Sequence, residues 1–323
     1  MLTRSAGIAP AGRVAVLAGE TMGTSWTARV VVDDEARVPS LRMAIEASLA
    51  GVVAEMSDWE PESDISRFNR APAGTWQVLP PAFFAVLEHA LALAAATEGA
   101  YDPTAGRLVD LWGFGPTPAS ALPPSEADIA AARATTGWER ATLDPARRGA
   151  LQPGGLRLDL ASIAKGYGVD AAARALRAAG VAHFLMEVGG ELLGAGLKPD
   201  RTPWWVEIEA PPGAVITPIV AALHGLAIAT SGNYRRFFDA DGGRFAHTID
   251  PRTGWPVDNR LASVTVLHAS CMAADAMATA LTVLGPDGGL TFASLHGIAA
   301  HFVIEAEGGF VERMTPAFGA MLD

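Results

Sequence analysis

Asp275 and Thr279 are two oxygen donors placed four residues apart in an apolar segment near the C-terminus. The segment 270–284 is built mainly from Ala, Met, Leu and Val, which predicts a helix packed inside the protein. Residues four apart lie one turn apart on the same helix face. A carboxylate and a hydroxyl with no soft ligand nearby suit Mg²⁺ or Ca²⁺ rather than zinc. The structural alternative, which the helix taken alone favours, is that Asp275 pairs with an arginine and Thr279 bonds back to a main-chain carbonyl.

Lys165 is a candidate for binding an anion. It lies in the segment 158–170, where a short β-like run at 156–160 and a turn precede a helix that ends near Ala179. At a helix start, free N–H groups and the helix dipole favour a negative charge. Only Lys165 and Lys198 are lysines among the 24 basic residues, so the lysine beside a glycine-rich turn indicates a compact point charge. A solvated lysine is the alternative, and neither a P-loop nor a dinucleotide-binding glycine motif is present.

His247 lies beside a predicted tight turn. The segment 250–254, Asp-Pro-Arg-Thr-Gly, has Pro and Gly at positions that favour such a turn, which groups His247 and Thr248 with Asp250. Before it, the segment 229–237 runs from an apolar strand through a small polar turn into two arginines, which fits a phosphate-binding strand end or a plain hairpin. A loop histidine is most often a surface residue, so these residues alone leave both interpretations open.

Eight short motifs occur in order along nearly the whole chain. They are TMGT at 21–24, MSDWEPESDISRFN at 56–69, YDPTAGRLV at 101–109 followed by LWGFG at 111–115, DLASIAKGY at 159–167, VGGE at 188–191, TSGN at 230–233, HTIDPRTG at 247–254 and ADAMAT at 274–279. Together they make the chain closely similar to the ApbE family, the FAD:protein FMN transferases. Each motif alone is weak evidence, whereas eight in one order argue strongly against a chance match.

The resemblance implies a set of metal ligands and flavin contacts. Mg²⁺ would be held by the main-chain carbonyl of Ser162 and by the side chains of Asp275 and Thr279. FAD contacts would come from eight residues: Met22, Trp59, Ala105, Gly106, Arg107, Asp159, Lys165 and Ile249. Arg107 departs from the family pattern, in which a smaller or apolar residue often stands, so its contact is the least secure of this set.

The resemblance also implies a reaction. A threonine hydroxyl of an acceptor flavoprotein attacks the flavin-side phosphorus of FAD, FMN is transferred and AMP leaves. Such phosphoryl transfer depends mainly on positioning and on neutralising charge, which we assign to Mg²⁺ and Lys165, and His247 is our candidate for accepting the threonine proton. Two rival functions stay open: an Mg²⁺-dependent FAD pyrophosphatase that uses water as the nucleophile, and a non-catalytic flavin-binding carrier that needs neither a divalent site nor a base.

Composition agrees with one soluble globular enzyme. Half of the 323 residues are hydrophobic and no linker divides them, so we expect a single domain over 1–323 with a flexible N-terminus at 1–12. The formal charge of −11 argues against a nucleic-acid partner. The single cysteine, Cys271, excludes an internal disulfide and a zinc site built from several cysteines.

No targeting or membrane segment is evident in the sequence. The N-terminus has no long apolar core, and no lipobox cysteine precedes the motif at 21–24. The longest apolar regions, 79–97 and 210–233, are interrupted by charged residues or by prolines and glycines. We therefore expect no transmembrane segment and a cytoplasmic protein, or a periplasmic one if a leader was removed.

The secondary-structure pattern predicts an α+β fold. Strands gathered towards both ends around a helical middle favour mostly antiparallel sheets with packed helices rather than a doubly wound fold. The ApbE family's fold is similar to this picture, with FAD in a cleft between its parts. Helices are expected at 39–57, 80–97, 124–136, 167–179, 270–284 and 286–295, and strands near 13–18, 25–32, 183–188, 204–209, 226–230, 261–267 and 299–304.

Overall fold

The computed structural model of the chain describes residues 10–117, 122–233, 237–240 and 243–322. The expected flexible segment 1–12 falls mostly outside this description, and so do the two arginines at 235 and 236. The expectation of one domain over the whole chain stays a prediction.

The described residues form eight α-helices, two short 3-10 helices at Glu35–Arg37 and Trp138–Arg140, and seventeen strands. The helices are α1 Val38–Met56, α2 Asp64–Arg70, α3 Pro81–Ala96, α4 Gly106–Leu111, α5 Glu126–Arg133, α6 Ala161–Ala178, α7 Cys271–Leu295 and α8 Pro316–Gly319. The strands are β1 Arg13–Thr21, β2 Thr24–Val32, β3 Thr75–Val78, β4 Thr142–Asp144, β5 Gly149–Gln152, β6 Phe184–Val188, β7 Glu191–Ala195, β8 Trp204–Glu207, β9 Val220–Leu223, β10 Leu226–Gly232, β11 Phe237–Ala240, β12 Gly243–Ala246, β13 Ile249–Asp250, β14 Trp255–Pro256, β15 Leu261–His268, β16 Ala299–Ala306 and β17 Gly309–Met314.

An eight-stranded sheet organises these elements. Its order is β1–β2–β6–β7–β10–β15–β16–β17, and each neighbouring pair runs antiparallel. Successive side chains of a strand point to opposite faces. Accordingly, Val30 of β2 packs in a core with α1 and α6, whereas Val31 packs in a core with Trp204 of β8 and Phe318 of α8. The predicted α+β class with mostly antiparallel sheet is confirmed.

Helices α6 and α7 pack against each other on the helical face of this sheet. A Cβ atom added at Gly166 would lie 2.3 Å from the main-chain oxygen of Cys271, so only glycine allows the two backbones to come this close. Asp170 of α6 then caps the start of α7, because its carboxylate accepts the Ser270 hydroxyl at 2.7 Å and the Cys271 N–H at 3.0 Å. A carboxylate at a helix N-terminus is stabilising, so the two helices are fixed at one end.

The long predicted elements are confirmed, and two local predictions are wrong. The segment 156–160 is not a strand, since it contributes only one isolated bridge, between Arg157 and Ala105. Helix α6 begins at Ala161 rather than at residue 167, so Lys165 lies in its second turn and not at its start. The two helices predicted at 270–284 and 286–295 are the two parts of α7, which bends at Gly285, where φ is 78°.

The sequence pattern also missed the shorter elements, among them α2, α4 and the strands β3 to β5. Such short pieces carry too few residues for a clear periodicity. Within the described ranges, no helix has both the length and the apolar character needed to cross a membrane. Cys271 is a free, buried thiol whose pKa is raised by burial, as expected for an inert cysteine.

Candidate active site

Asp275 lies at the α6–α7 contact and is almost fully buried, with 4% of its surface exposed. Its Oδ2 accepts the main-chain N–H of Gly166 at 2.9 Å. In a regular helix that N–H donates to the carbonyl four residues earlier, which here belongs to Ser162. Asp275 therefore competes with the Ser162 carbonyl for the Gly166 N–H. The Ser162 carbonyl oxygen and the Asp275 carboxylate thus lie on the same side of α6.

Thr279, one turn further along α7, contacts the neighbouring strand. Its hydroxyl lies 3.1 Å from the Ser231 hydroxyl of β10. The structural alternative is wrong on both counts for the described residues, since no arginine pairs with Asp275 and the recorded partner of Thr279 is a side chain. The i, i+4 pair lies on α7 with one oxygen donor buried and the other half-buried, and the metal site stays a prediction.

Three ionisable groups meet here: Asp275, Lys165 and Glu191. Burial raises the pKa of Asp275, and the nearby Lys165 opposes that rise. Burial, followed by the charge of Asp275, raises the pKa of Glu191 to about 7. Burial lowers the pKa of Lys165, but the charges of Asp275 and then Glu191 outweigh it and leave that pKa above its ordinary value. Two carboxylates share one ammonium, so the fully ionised group carries excess negative charge.

A hard divalent cation fits this group. The excess charge is one argument, and the oxygen character of Ser162, Asp275 and Thr279 is another. A third is that Oε2 of Glu191 is buried with no hydrogen-bond partner among the described residues, which marks a shortage of positive charge and donors. In the part of the chain that the structure describes, no three His, Cys, Asp or Glu side chains are grouped to hold a metal. The predicted ligand set, with one carboxylate and two neutral oxygens, is not a group of that kind.

Lys165 is held by Glu191 rather than by a helix terminus. Its Nζ lies 2.6 Å from Oε1 of Glu191, which is only 3% exposed. The first N–H of α6 belongs to Ala161 and donates to Oδ1 of Asp159 at 2.7 Å, so that site for an anion is already filled. The anion-binding argument from the helix start is therefore wrong for Lys165. Its ammonium is instead positioned by a buried ion pair, with about a third of the side chain (33%) still accessible.

The predicted flavin contacts at 105–107 and Asp159 form a second group. The Gly106 N–H donates to the Arg157 carbonyl at 3.1 Å, and a Cβ at Gly106 would lie 2.9 Å from that oxygen, so glycine is required. The Asp159 N–H donates to the carbonyl of Pro103 at 2.8 Å. Arg107 donates from Nε to the Gly155 carbonyl at 2.9 Å and lines an open cavity of about 420 Å³.

Tyr101 connects this group to the helix pair. Its hydroxyl lies 3.3 Å from the Ser162 hydroxyl, and its ring is buried. Burial raises the pKa of Tyr101, and the charges of Asp275 and Asp159 raise it further. The predicted metal ligands and the predicted flavin contacts therefore share one neighbour.

Trp59 and Met22 lie at the edges of the site. Trp59 is 57% exposed, and the adjacent Asp58 has its pKa raised to about 7, first by burial and then by the charge of Asp159. Met22, at φ 50° in the two-residue turn between β1 and β2, comes so close to α6 that a Cβ at Gly168 would lie 3.0 Å from its Cε. Both predicted contacts thus lie next to residues already placed in the site.

His247 and Ile249 belong to a third group, the β13–β14 hairpin and the residues just before it. The predicted turn is confirmed, because the Asp250 carboxylate accepts the Nε and Nη2 hydrogens of Arg252 at 2.9 and 2.8 Å. Ile249 is buried with Leu108 of α4, and the His247 ring lies edge-on to Phe114, with centroids 6.2 Å apart.

Trp112 attaches this hairpin to the rest of the site. Its indole N–H donates to the carbonyl of Gly254 at 2.8 Å, and its ring lies 5.2 Å from that of Trp255. Trp112 directly follows α4, the helix that begins with Gly106 and Arg107. The hairpin is therefore positioned relative to the second group.

Comparison with known proteins identifies the family of the chain. The model of the ApbE family matches residues 22–302. The chain belongs to the ApbE family. The FAD:protein FMN transferase of Haemophilus influenzae is 38% identical over 314 residues, covering 95% of this chain and 91% of that protein. The apo structure of the flavinyl transferase ApbE from Pseudomonas stutzeri has a TM-score of 0.89 at 39% identity, and the match covers 96% of both chains. The structure of the flavin transferase ApbE from Vibrio cholerae has a TM-score of 0.89 at 36% identity, and the match covers 96% of this chain and 99% of that one.

Three residues of this ApbE-family site carry roles that the sequence did not suggest. Glu191 was noted only as the last residue of a motif, yet it holds Lys165. Tyr101 likewise opens a motif without an assigned role. Gly166 was assigned to a turn, whereas it is the contact point between two helices. The signal available for Glu191 was its position directly after Gly189 and Gly190, which both have positive φ and form a two-residue hairpin turn between β6 and β7.

Proposed function

We propose that this chain is an Mg²⁺-dependent FAD:protein FMN transferase, which moves FMN from FAD to a threonine side chain of an acceptor flavoprotein and releases AMP. Membership of the ApbE family supports it, as do relatives in Haemophilus influenzae and Escherichia coli that carry the name FAD:protein FMN transferase. The observation that carries the proposal is the 2.9 Å hydrogen bond from the Gly166 N–H to the buried Asp275, because in a regular helix that same N–H points to the Ser162 carbonyl.

In this proposal, the Ser162 carbonyl and the side chains of Asp275 and Thr279 hold Mg²⁺. When bound, the cation supplies positive charge that offsets the charge on the phosphates during transfer. The excess negative charge of the Asp275, Lys165 and Glu191 group supports this assignment, since burial of uncompensated carboxylates is unfavourable.

Lys165 and His247 have different tasks in this account. Lys165 keeps an accessible portion of its side chain beside the buried pair, which fits a contact to an FAD phosphate. His247 accepts the proton of the acceptor threonine as its oxygen forms a bond to the flavin-side phosphorus, and the phosphorus–oxygen bond to AMP breaks. A half-buried imidazole just before a hairpin, outside the helix core, is compatible with access by an acceptor protein.

The flavin itself would contact the remaining predicted residues. Met22 and Trp59 would provide apolar and aromatic surface, and the main chain of the α4 start would approach FAD closely at Ala105 and Gly106. Arg107, Asp159 and Ile249 complete the proposed contact set. The role of Arg107 is supported by its position at a cavity of about 420 Å³, with its guanidinium held by the Gly155 carbonyl.

The direct test is to incubate the protein with FAD and Mg²⁺, with and without an acceptor domain that contains the target threonine. Release of AMP only with the acceptor, together with an acceptor mass increased by one FMN, supports the transferase. Release of AMP and free FMN without the acceptor identifies a pyrophosphatase. FAD binding with no AMP under either condition identifies a carrier.

A further inference from the structure

We propose that Glu191 is a positioning residue that holds the Lys165 ammonium away from Asp275, and so leaves the Asp275 carboxylate available to a divalent cation. This inference rests on the proposed function, in that Asp275 is taken as a metal ligand. It assigns to Glu191 a role towards Lys165 rather than towards the metal or the flavin.

The first step is that the contact between α6 and α7 brings Lys165 close to Asp275. Lys165 immediately precedes Gly166, whose N–H donates to Asp275 at 2.9 Å. A Cβ at Gly166 would lie 2.7 Å from the Cβ of Asp275. The charges of Asp275 and Glu191 both raise the pKa of Lys165. Because a buried carboxylate without a compensating charge is unfavourable, Lys165 can pair with Asp275 unless another acceptor holds it.

Glu191 is that acceptor. Its Oε1 lies 2.6 Å from the Lys165 Nζ, and its other oxygen has no hydrogen-bond partner among the described residues. In the part of the chain that the structure describes, the recorded ion pair of this buried side chain is the one to Lys165. The carboxylate is buried to 3% exposure although half of its hydrogen-bonding capacity is unused, which is unfavourable for folding and indicates a functional reason for its presence.

The β6–β7 hairpin fixes Glu191 in this place. Val188 and Glu191 pair across a two-residue turn, and both turn glycines have positive φ. A Cβ at Gly189 would lie 3.5 Å from Cδ of Lys165 and 2.8 Å from the Thr24 side chain, so the turn also contacts the lysine stem. The ammonium is thus held by a rigid turn on one side, while Asp275 is held by the Gly166 N–H on the other.

The test is Mn²⁺ binding to the FAD-free protein, measured by electron paramagnetic resonance as a probe for Mg²⁺. Glu191→Gln is expected to weaken Mn²⁺ binding at least about tenfold, because Lys165 then pairs with Asp275. In a Lys165→Met background, the same substitution is expected to change Mn²⁺ binding less than about threefold, since no ammonium remains to be held.

Two matched variants complete the design. Lys198→Met removes the other lysine and should leave Mn²⁺ binding unchanged. Glu191→Asp keeps the carboxylate but is one methylene shorter, so it should also weaken binding; it serves as the second variant if Glu191→Gln fails to fold.

Several results overturn the inference. If Glu191→Gln weakened Mn²⁺ binding equally in the wild-type and Lys165→Met proteins, Glu191 would act through its own charge. Wild-type Mn²⁺ affinity in Glu191→Asp would show the same. No loss in Glu191→Gln would show that Lys165 needs no anchor. Absence of Mn²⁺ binding in the wild-type protein would instead refute the proposed metal site. A failure of the metal site can therefore be told apart from a failure of the role of Glu191.

Discussion

The α6–α7 contact and the β13–β14 hairpin carry two of the three groups of the candidate active site, and they are held in different ways. At the helix contact, backbone meets backbone at Gly166, and the functional carboxylate of Asp275 is 4% exposed. The hairpin has strands of two residues each and is closed by the Asp250–Arg252 pair on its surface, with Trp255 39% exposed.

This difference separates charge placement from proton transfer. The helix contact contains buried charges whose arrangement is inseparable from core packing, so changes there act on metal binding and stability together. The hairpin is attached through Trp112 and Ile249, and the His247 ring contacts Phe114, which packs against the same cluster. We expect a substitution of His247 to alter the chemistry more than the fold.

The largest expected effect is that of His247→Ala. FAD and Mg²⁺ affinities should stay within about twofold, while the rate of FMN transfer falls by ~10²–10⁴-fold, the usual scale for loss of a general base. Rapid-quench measurement of transfer, with equilibrium binding of FAD, checks both parts. A variant that binds FAD poorly, or unfolds, would mean that His247 shapes the hairpin instead, and the two groups would then not be separable.

A smaller effect is expected from Gly166→Ala at the helix contact. The new Cβ would lie 2.3 Å from the Cys271 carbonyl, so α6 and α7 must move apart and the free energy of unfolding should fall by about 1–3 kcal/mol. Gly51→Ala is the matched control, because Gly51 lies inside α1 with no atom near its would-be Cβ, and it should stabilise by about 0.5–1 kcal/mol. Denaturant unfolding of both variants provides the comparison, and a stabilised Gly166→Ala protein would show that the helices are not in tight contact.

The smallest effect concerns Asp58, whose pKa responds to the charge of Asp159 in the second group. Its pKa is raised to about 7, chiefly by burial, so the folded state binds a proton that the unfolded state releases. The contribution of the Asp58 carboxyl to the free energy of unfolding therefore falls as pH rises from about 4 to about 7, and it does not change above pH 7.

Asp58→Asn should remove part of this pH dependence, so the variant should gain more in melting temperature at pH 7.5 than at pH 4.5. Asp258→Asn, an exposed residue, is the control and should leave the difference unchanged. If Asp58→Asn and Asp258→Asn changed the melting temperature equally at both pH values, Asp58 would not be a buried carboxyl with a raised pKa.

Sequence patterns could predict the elements that carry the site more readily than their contacts. The apolar segment with Asp275 and Thr279 predicted a buried helix with two oxygen donors on one face, and α7 has that form. The Asp-Pro-Arg-Thr-Gly turn was likewise predicted from local chemistry alone. Both succeed because their determinants lie within one turn of the chain.

The contacts between distant segments could not be predicted in this way. Gly166 and Gly168 resembled a turn, since glycine usually weakens a helix. Glycine is needed at both positions because of contacts between distant segments. Cys271, Asp275 and Met22 occupy the space that a side chain would need. The pairing of Lys165 with Glu191 joins residues 26 positions apart across a helix and a hairpin, and no local pattern encodes it.

The most direct test of the central claim is the Mg²⁺ dependence of FMN transfer in Asp275→Asn. The amide keeps an oxygen that can accept the Gly166 N–H, and removing a buried carboxylate should leave the melting temperature equal or higher. With a metal ligand lost, transfer measured by AMP release at limiting Mg²⁺ should fall at least about 10³-fold, equivalent to several kcal/mol of lost charge stabilisation. A folded Asp275→Asn protein with near wild-type transfer at limiting Mg²⁺ would contradict the account, because Asp275 would then not hold the metal.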